Sequence, residues 1–366
     1  MKQEFSPSAA QKIGGMTKQR KEDHINICLE LNVQSQVGPG FDDLFLVHQA
    51  VPEIDFSTVD TGTALFGRKL KVPLLIEGMT GGTEQAGKIN RTIATVCQKL
   101  GLAMGVGSQR AAFEEPGLRS SYTVRSFAPD ILLFANLGLP QFILGYTFKE
   151  AETAVEMIDA DCLAVHLNPL QEAIQPEGDP HFESGVTALK KLKKGCTFPV
   201  IAKETGAGIS REVMQKLKFL DGLDIGGLGG TSFSAVEYYR NTGERKEIAS
   251  EFWNWGMPTA VSIVECSGIQ NLIASGGVRT GLDVAKAICL GTDCCGIALP
   301  ALKAAVQGET ALEAFVQKIY HELKIAMFLC GCRTISELKR APIIITGRTR
   351  EFLKERGYRT ELYAQR

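Results

Sequence analysis

The chain has 366 residues, enough for one large α/β barrel or two ordinary domains, with a core that needs no covalent staples. Hydrophobic residues at 44% and charged residues at 22% argue against disorder as the main state. Lys+Arg 40 against Asp+Glu 41 leaves a net charge of -1, which excludes a global basic field for nucleic acid or an anionic membrane. Any anionic ligand must then be held by a local cluster. The skewed quantity is glycine, 38 residues against 14 prolines, so the placement of those glycines matters.

The chain opens on MKQEFSPSAAQKIGGMTKQRKEDH, which lacks the apolar stretch of a secretory signal. Residues 1–19 are polar and are expected to form a disordered arm, with residues 20–366 as a single domain. No apolar run approaches the roughly 18–20 residues of a membrane helix. Ten cysteines are scattered through apolar segments without a C-x-x-C pair. They read as reduced thiols of a cytoplasmic protein; Cys330 and Cys332, flanking Gly331, are the alternative redox pair.

From residue 72 a pattern repeats: a short apolar run ends in Gly or polar residues, and a helix-period segment follows. The runs are 72–78, 102–107, 130–138, 162–168, 199–206, 222–230, 271–277 and 294–300. Between them lie helical stretches at 83–101, 147–160, 184–195 and 280–291. Gly101 and Gly291 are stop signals and Thr280 is a candidate N-cap. Residues 303–340 read as further helix, and the basic tail around Arg348–Arg366 as a solvated face. Eight nearly continuous apolar strands separated by helices predict a (β/α)8 TIM barrel with its parallel sheet covered on both faces. A doubly wound sheet is the alternative, but no early G-x-G-x-x-G follows the first strand.

In a barrel the catalytic groups sit at the C-terminal strand ends. Those ends carry Gly78-Met79-Thr80-Gly81-Gly82, Gly107-Ser108-Gln109-Arg110, Asn136-Leu137-Gly138, His166 through Glu172, Lys203-Glu204, Gly226 through Ser232, Ser275 through Gly281, and Ala298-Leu299-Pro300. The glycines after strands 6 and 7, with the helix N-terminus that follows, predict a phosphate site. Lys203 either pairs with Glu204 or faces a ligand. His166 and Asn168 alternate with apolar residues and so point to one side. Glu172 is a candidate Mg2+ ligand, because one or two carboxylates plus substrate phosphates suit that ion. Arg20-Lys21-Glu22-Asp23-His24 is either a solvated helix start or, with Arg110, a diphosphate clamp.

Taken together and in this order, these segments resemble type 2, FMN-dependent isopentenyl-diphosphate isomerases over roughly residues 20–345. Phe233 departs from the Trp expected in many members. The resemblance implies a barrel with an N-terminal substrate-binding arm that interconverts isopentenyl and dimethylallyl diphosphate by a 1,3-proton shift. It implies reduced FMN as acid/base cofactor, Mg2+, NADPH or NADH as flavin reductant, and a homotetramer or larger assembly. Met79, Thr80, Gly81, Ser108, Asn136 and Lys203 would line the flavin. Thr231, Gly277, Val278, Arg279, Ala298 and Leu299 would hold its phosphate. Arg20, Lys21, His24, Ser108, Gln109, Arg110, His166, Asn168 and Gln171 would bind substrate, with Gln171 and His166 nearest the reaction and Glu172 on the metal. Glu204 is read as the only other carboxylate at a strand end. The alternative on the same barrel, a hydroxy-acid oxidase, needs a late His base, and past residue 200 the sequence offers only His321.

Overall fold

The computed structural model describes residues 21–366. The N-terminal arm expected over 1–19, and Arg20, lie outside the described residues. The eight apolar runs all become parallel strands: β1 (Leu74–Ile76), β2 (Ala103–Gly105), β3 (Leu133–Gly138), β4 (Cys162–Leu167), β5 (Val200–Glu204), β6 (Gly222–Asp224), β7 (Leu272–Ala274) and β8 (Cys294–Ile297). They close into one barrel, each strand beside its neighbours in sequence and β8 paired with β1.

The helices start and stop where local chemistry dictates. In α1 (Glu84–Leu100), the Thr83 side chain accepts the Ala86 N–H and Gly101 ends the helix at φ 68°. Capping boxes open α2 (Phe148–Ile158) at Thr147 and α3 (Gly281–Leu290) at Thr280. The segment expected as helix over 303–340 divides into α4 (Leu299–Gln307), α5 (Glu309–Leu329) and Ile335–Leu338, with Gly308 at φ 112° between the first two.

The barrel interior is layered. Leu75, Ala103, Phe134, Ala164, Ile201, Ile273 and Cys294 pack in one buried apolar cluster with Leu65 and Leu70. Leu65 and Leu70 belong to a hairpin, Thr63–Leu65 and Arg68–Leu70, which the sequence pattern did not reveal. It caps the N-terminal end of the barrel, and Phe66 at its turn stacks edge-on against Phe134 at 5.8 Å. A second unexpected pair joins Leu44–Leu46 to Ile343–Ile345.

The basic tail presents the solvated face expected of it, with Arg348, Arg350, Lys354, Arg359 and Arg366 exposed, while its other face docks on the barrel. Leu353 is fully buried, Arg356 spans Glu265 and Glu212, and Arg366 donates to the Cys289 carbonyl. Tail arginines find carboxylates and free helix carbonyls on neighbouring elements, which periodicity along one segment does not show. All ten cysteines are free.

The hairpin closes one end of the barrel and leaves the other for chemistry. Leu65→Ala is therefore expected to cost about 2–5 kcal/mol in denaturant unfolding. Ligand affinity at the opposite mouth, measured on the folded fraction, should stay unchanged.

Candidate active site

Side chains along a strand alternate between faces, so the residue two places beyond each apolar plug residue also points inward. Leu75 is followed by Glu77, Phe134 by Asn136, Ala164 by His166, Ile201 by Lys203, Ile273 by Ser275 and Cys294 by Gly296. All six second-layer residues line a cavity of about 290 Å³ at the C-terminal mouth. Strand register sets Gly138 beside His166, His166 beside Lys203 and Lys203 beside Asp224.

At the floor, Lys203 Nζ lies 2.7 Å from Asp224 Oδ2 and 2.9 Å from Glu77 Oε2. Ser275 Oγ donates to Asp224 Oδ1 at 2.5 Å. Burial opposes the lysine charge, but the two carboxylates outweigh it and hold its pKa above the ordinary lysine value. Burial, reinforced by Asp224 and offset in part by Lys203, pushes Glu77 up to about 8. The expected alternative partner, Glu204, is elsewhere: its Oε2 accepts the N–H groups of Gly206 and Ala207 at 2.5 Å each, and that of Gly208 at 3.2 Å. Burial raises its pKa to about 7 against those donors. The expectation that Glu204 is the only carboxylate left besides Glu172 is thus corrected, since Glu77 and Asp224 also stand at strand ends. Both lie inside the apolar runs 72–78 and 222–230; the alternation that places Lys203 inward also selects Glu77.

One wall is polar and neutral. Asn136 Oδ1 lies 2.8 Å from His166 Nδ1. Burial, then the charges of Lys203 and Lys21, lower the His166 pKa to about 4. The imidazole is therefore uncharged at neutral pH. The network assigns Nδ1–H as donor to Asn136, leaving Nε2 as an acceptor. Asn168 Nδ2 donates to Glu172 Oε1 at 2.8 Å and lies 3.2 Å from Gln171 Oε1, while Asn168 Oδ1 is buried and without a partner. Glu172 Oε2 accepts from Gln175 Nε2 and the Asp179 N–H.

The entrance is cationic. The helix over 21–30 lies at the mouth and brings Lys21, His24, Ile25 and Cys28 to the cavity. Lys21 Nζ donates to Tyr122 Oη at 2.5 Å and to the Ser108 carbonyl at 3.1 Å. His24 Nε2 meets the buried Glu237, which also pairs with Arg240. Arg110 lines the mouth while bonded to Glu114.

At the segment expected to hold a phosphate, the backbone donors are arranged differently from the sequence expectation. The N-terminus of α3 is already satisfied: Arg279 and Thr280 N–H donate to Asp283, and Gly281 N–H donates to Glu322. An anion cannot use those groups. The Gly276 and Gly277 backbone takes φ values of 96° and 81°, which only glycine adopts readily. A Cβ on Gly230 would meet Gly277 N at 2.7 Å. Gly277 and Leu299, the latter opening α4, border the cavity, and among the described residues their N–H groups have no acceptor.

Of the residues singled out from sequence, Lys21, His24, Met79, Thr80, Gly81, Ser108, Arg110, Asn136, His166, Asn168, Gln171, Glu172, Lys203, Thr231, Gly277, Arg279, Ala298 and Leu299 line this one cavity. Two do not. Gln109 is fully buried, with Nε2 donating to the Ala154 carbonyl and Oε1 accepting the Asn136 N–H, so it ties α2 to β3 and is not a substrate ligand. Its neighbours Ser108 and Arg110 do face the cavity; a turn, not a strand, runs through these three. The Val278 side chain enters the core. Tyr122, Gln141 and Thr205 join the site without a sequence signal: Tyr122 lies in an irregular segment, and Gln141 follows Pro140 in a short helix.

The fold defines a TIM-barrel protein with one polar-lined cavity at the C-terminal mouth of its barrel. Residues 258–345 match the FMN-dependent dehydrogenase family. The chain is 48% identical over 354 residues to an isopentenyl-diphosphate delta-isomerase of Pyrococcus horikoshii, covering 93% of this chain and 95% of the relative. It is 47% identical over 345 residues to one of Archaeoglobus fulgidus, covering 93% and 99%. The chain belongs to the isopentenyl-diphosphate delta-isomerase family. Among solved structures, a flavocytochrome b2 variant with sulfite bound superposes with TM-score 0.63 at 17% identity, covering 96% of this chain and 91% of that one. A mandelate oxidase variant with a monooxide FMN adduct gives 0.60 at 15%, covering 87% and 95%. At these identities the likeness concerns the fold.

His166 gives a signed pH dependence. Its pKa is lowered on folding from 6.5 to about 4, so the unfolded chain binds the extra proton between those values. The contribution is complete above about pH 6.5 and is lost as pH falls toward 4. Melting temperatures of the wild type and His166→Gln should therefore converge, relative to their neutral-pH difference, as pH drops through this window. A constant difference would refute the neutral imidazole.

Proposed function

We propose that the chain interconverts isopentenyl diphosphate and dimethylallyl diphosphate, with reduced FMN in the barrel mouth. The observation that carries the reading is a single cavity joining an anion cradle, a neutral polar wall and a cationic entrance, in a member of the isomerase family.

FMN fits the donor set. The unpartnered N–H groups of Gly277 and Leu299, with Arg279 and Thr231, would receive its phosphate, as loops after late barrel strands commonly do. Met79, Thr80, Gly81, Ser108, Asn136 and Lys203 would line the ring. When bound and reduced, FMN supplies the acid and base of the proton shift.

The protein's own residues bind and orient the substrate. The isomerisation adds a proton at one end of the allylic unit and removes one at the other, so no net redox occurs. A charged imidazole beside the alkene would be a competing acid; the lowered His166 pKa keeps that group neutral. Asn168 holds both Gln171 and Glu172, and Gln171 so held would stand beside the reacting carbons. Lys21, Arg110, His24 and Arg20 would bind diphosphate, with Lys21 already aimed by Tyr122. Among the described residues no group of three or more His, Cys, Asp or Glu side chains could hold a metal. A single carboxylate suits only an ion completed by phosphate oxygens and water, so Glu172, beside the unpartnered Asn168 Oδ1, would hold Mg2+ through the substrate. NADPH serves only to reduce the flavin. We place the enzyme in the cytoplasm as a homotetramer or larger assembly; among the described residues no helix is long and apolar enough to cross a membrane.

The alternative, an FMN-dependent hydroxy-acid oxidase, shares the fold of the solved neighbours. It needs a late His base at the mouth. His321 sits on α5, exposed and edge-on to Phe56 at 5.9 Å, and does not line the cavity.

An anaerobic assay of isopentenyl diphosphate with FMN, Mg2+ and NADPH, each omitted in turn, tests the reading. Turnover should vanish without FMN or Mg2+, and photoreduced FMN should replace NADPH. Glu172→Gln should raise the half-saturating Mg2+ concentration by at least about tenfold, and Gln171→Ala should lower kcat by about a hundredfold. Turnover without FMN, or full activity of both variants, would overturn it.

A further inference from the structure

The floor of the cavity holds two carboxylates and one lysine, and the two carboxylates differ in their surroundings. Asp224 is fully buried, with one oxygen on Lys203 Nζ at 2.7 Å and the other on Ser275 Oγ at 2.5 Å. Both oxygens receive donors, as a buried carboxylate requires. Glu77 has only Oε2 on Lys203, at 2.9 Å; its Oε1 is buried without a partner. Oε1 is wedged against Gly296, where a Cβ would lie 1.7 Å away. The neighbouring strand β8 is thus kept bare for this side chain and brings no donor to Oε1. An ionised carboxylate leaves a bare charged oxygen in such a place at high cost; a carboxylic acid with its proton on Oε2, toward Asp224, leaves only a neutral carbonyl oxygen there.

We propose that Glu77 is a positioning residue held as a neutral carboxylic acid. The floor beneath the flavin then carries Lys203 balanced by Asp224 alone, and ionisation of Glu77 turns that floor net negative. The inference rests on the reading that FMN occupies this cavity. The groups facing Glu77 are Lys203 on β5, Asp224 on β6, neutral Ser275 on β7 and the buried Cys294 thiol on β8, with uncharged His166 next to Lys203 on β4. Burial and the Asp224 charge hold the Glu77 proton to about pH 8 in spite of Lys203. Glutamine should therefore imitate Glu77 below that pH, whereas neutralising Asp224 removes the charge that helps hold the Glu77 proton, so that Glu77 ionises at lower pH and takes over the pairing with Lys203.

The test is the reduction potential of protein-bound FMN between about pH 6 and pH 9.5 in the wild type, Glu77→Gln and Asp224→Asn, with FMN affinity read first by fluorescence quenching. Glu77→Gln should bind FMN within about threefold of the wild type and match its potential near pH 6. Above about pH 8 the wild-type potential should fall more steeply than that of Glu77→Gln, because added negative charge opposes electron uptake. Asp224→Asn should move the steepening to lower pH, because Glu77 there loses the neighbouring charge that helps hold its proton. If the wild type binds FMN but Glu77→Gln departs from it near pH 6, or keeps the steeper fall, the inference fails and the FMN reading stands. If the wild type binds no FMN, both fail. Should Glu77→Gln not fold, the wild-type curve decides: a steepening near pH 8 supports the inference and its absence overturns it.

Discussion

The two-residue period of a β-strand inside a closed barrel is the constraint on which the site depends. Eight short parallel strands close the sheet, and the interior fills in layers. The lower layer is apolar and sealed beneath by the hairpin bearing Leu65 and Leu70. One step up, the same strands must point inward again, and there the sequence places Glu77, Asn136, His166, Lys203, Ser275 and Gly296. The apolar layer excludes water from below and holds the polar layer rigid. Chemistry is possible at this level because the level beneath carries none.

That arrangement explains the charge states. Groups standing on a dry floor lose hydration, so each ionises only where a partner compensates. Lys203 and Asp224 compensate each other and share further contacts. Glu77 and His166 receive less help and shift toward neutrality, from opposite directions. Local charge is therefore carried by a few placed groups, the floor pair, Glu172, Arg279 and the entrance cations, in a chain whose net charge is near zero.

The two ends of the cavity carry different kinds of donor. The late strands offer backbone N–H groups, made accessible by Gly230, Gly276 and Gly277. The entrance uses long cationic side chains on an added helix, with Lys21 held over Tyr122. A backbone cradle suits a resident group that stays; side chains on the rim suit a ligand that must enter and leave. The barrel supplies the first, and the segment before it the second.

Much of this was legible in sequence. All eight strands, the helices of 83–101, 147–160 and 280–291 with the cap at Thr280, and most cavity residues follow from apolar runs, periodicity, alternation and the polar residues that end each run. These are local properties, and short-range backbone chemistry expresses them directly. The resemblance to the isomerase family ordered the same residues into roles. What tertiary structure alone decided is who meets whom. Lys203 pairs with Glu77 and Asp224 rather than adjacent Glu204, because neighbouring residues on a strand face opposite ways while strands far apart in sequence share a rim. Gln109 turns away from the mouth between two cavity residues. The N-terminus of α3 is taken by Asp283 and by Glu322 from α5, so the anion cradle moves to Gly277 and α4. Local pattern determines which residues are polar at the end of a strand; only closure of the barrel determines which donor each of them finds.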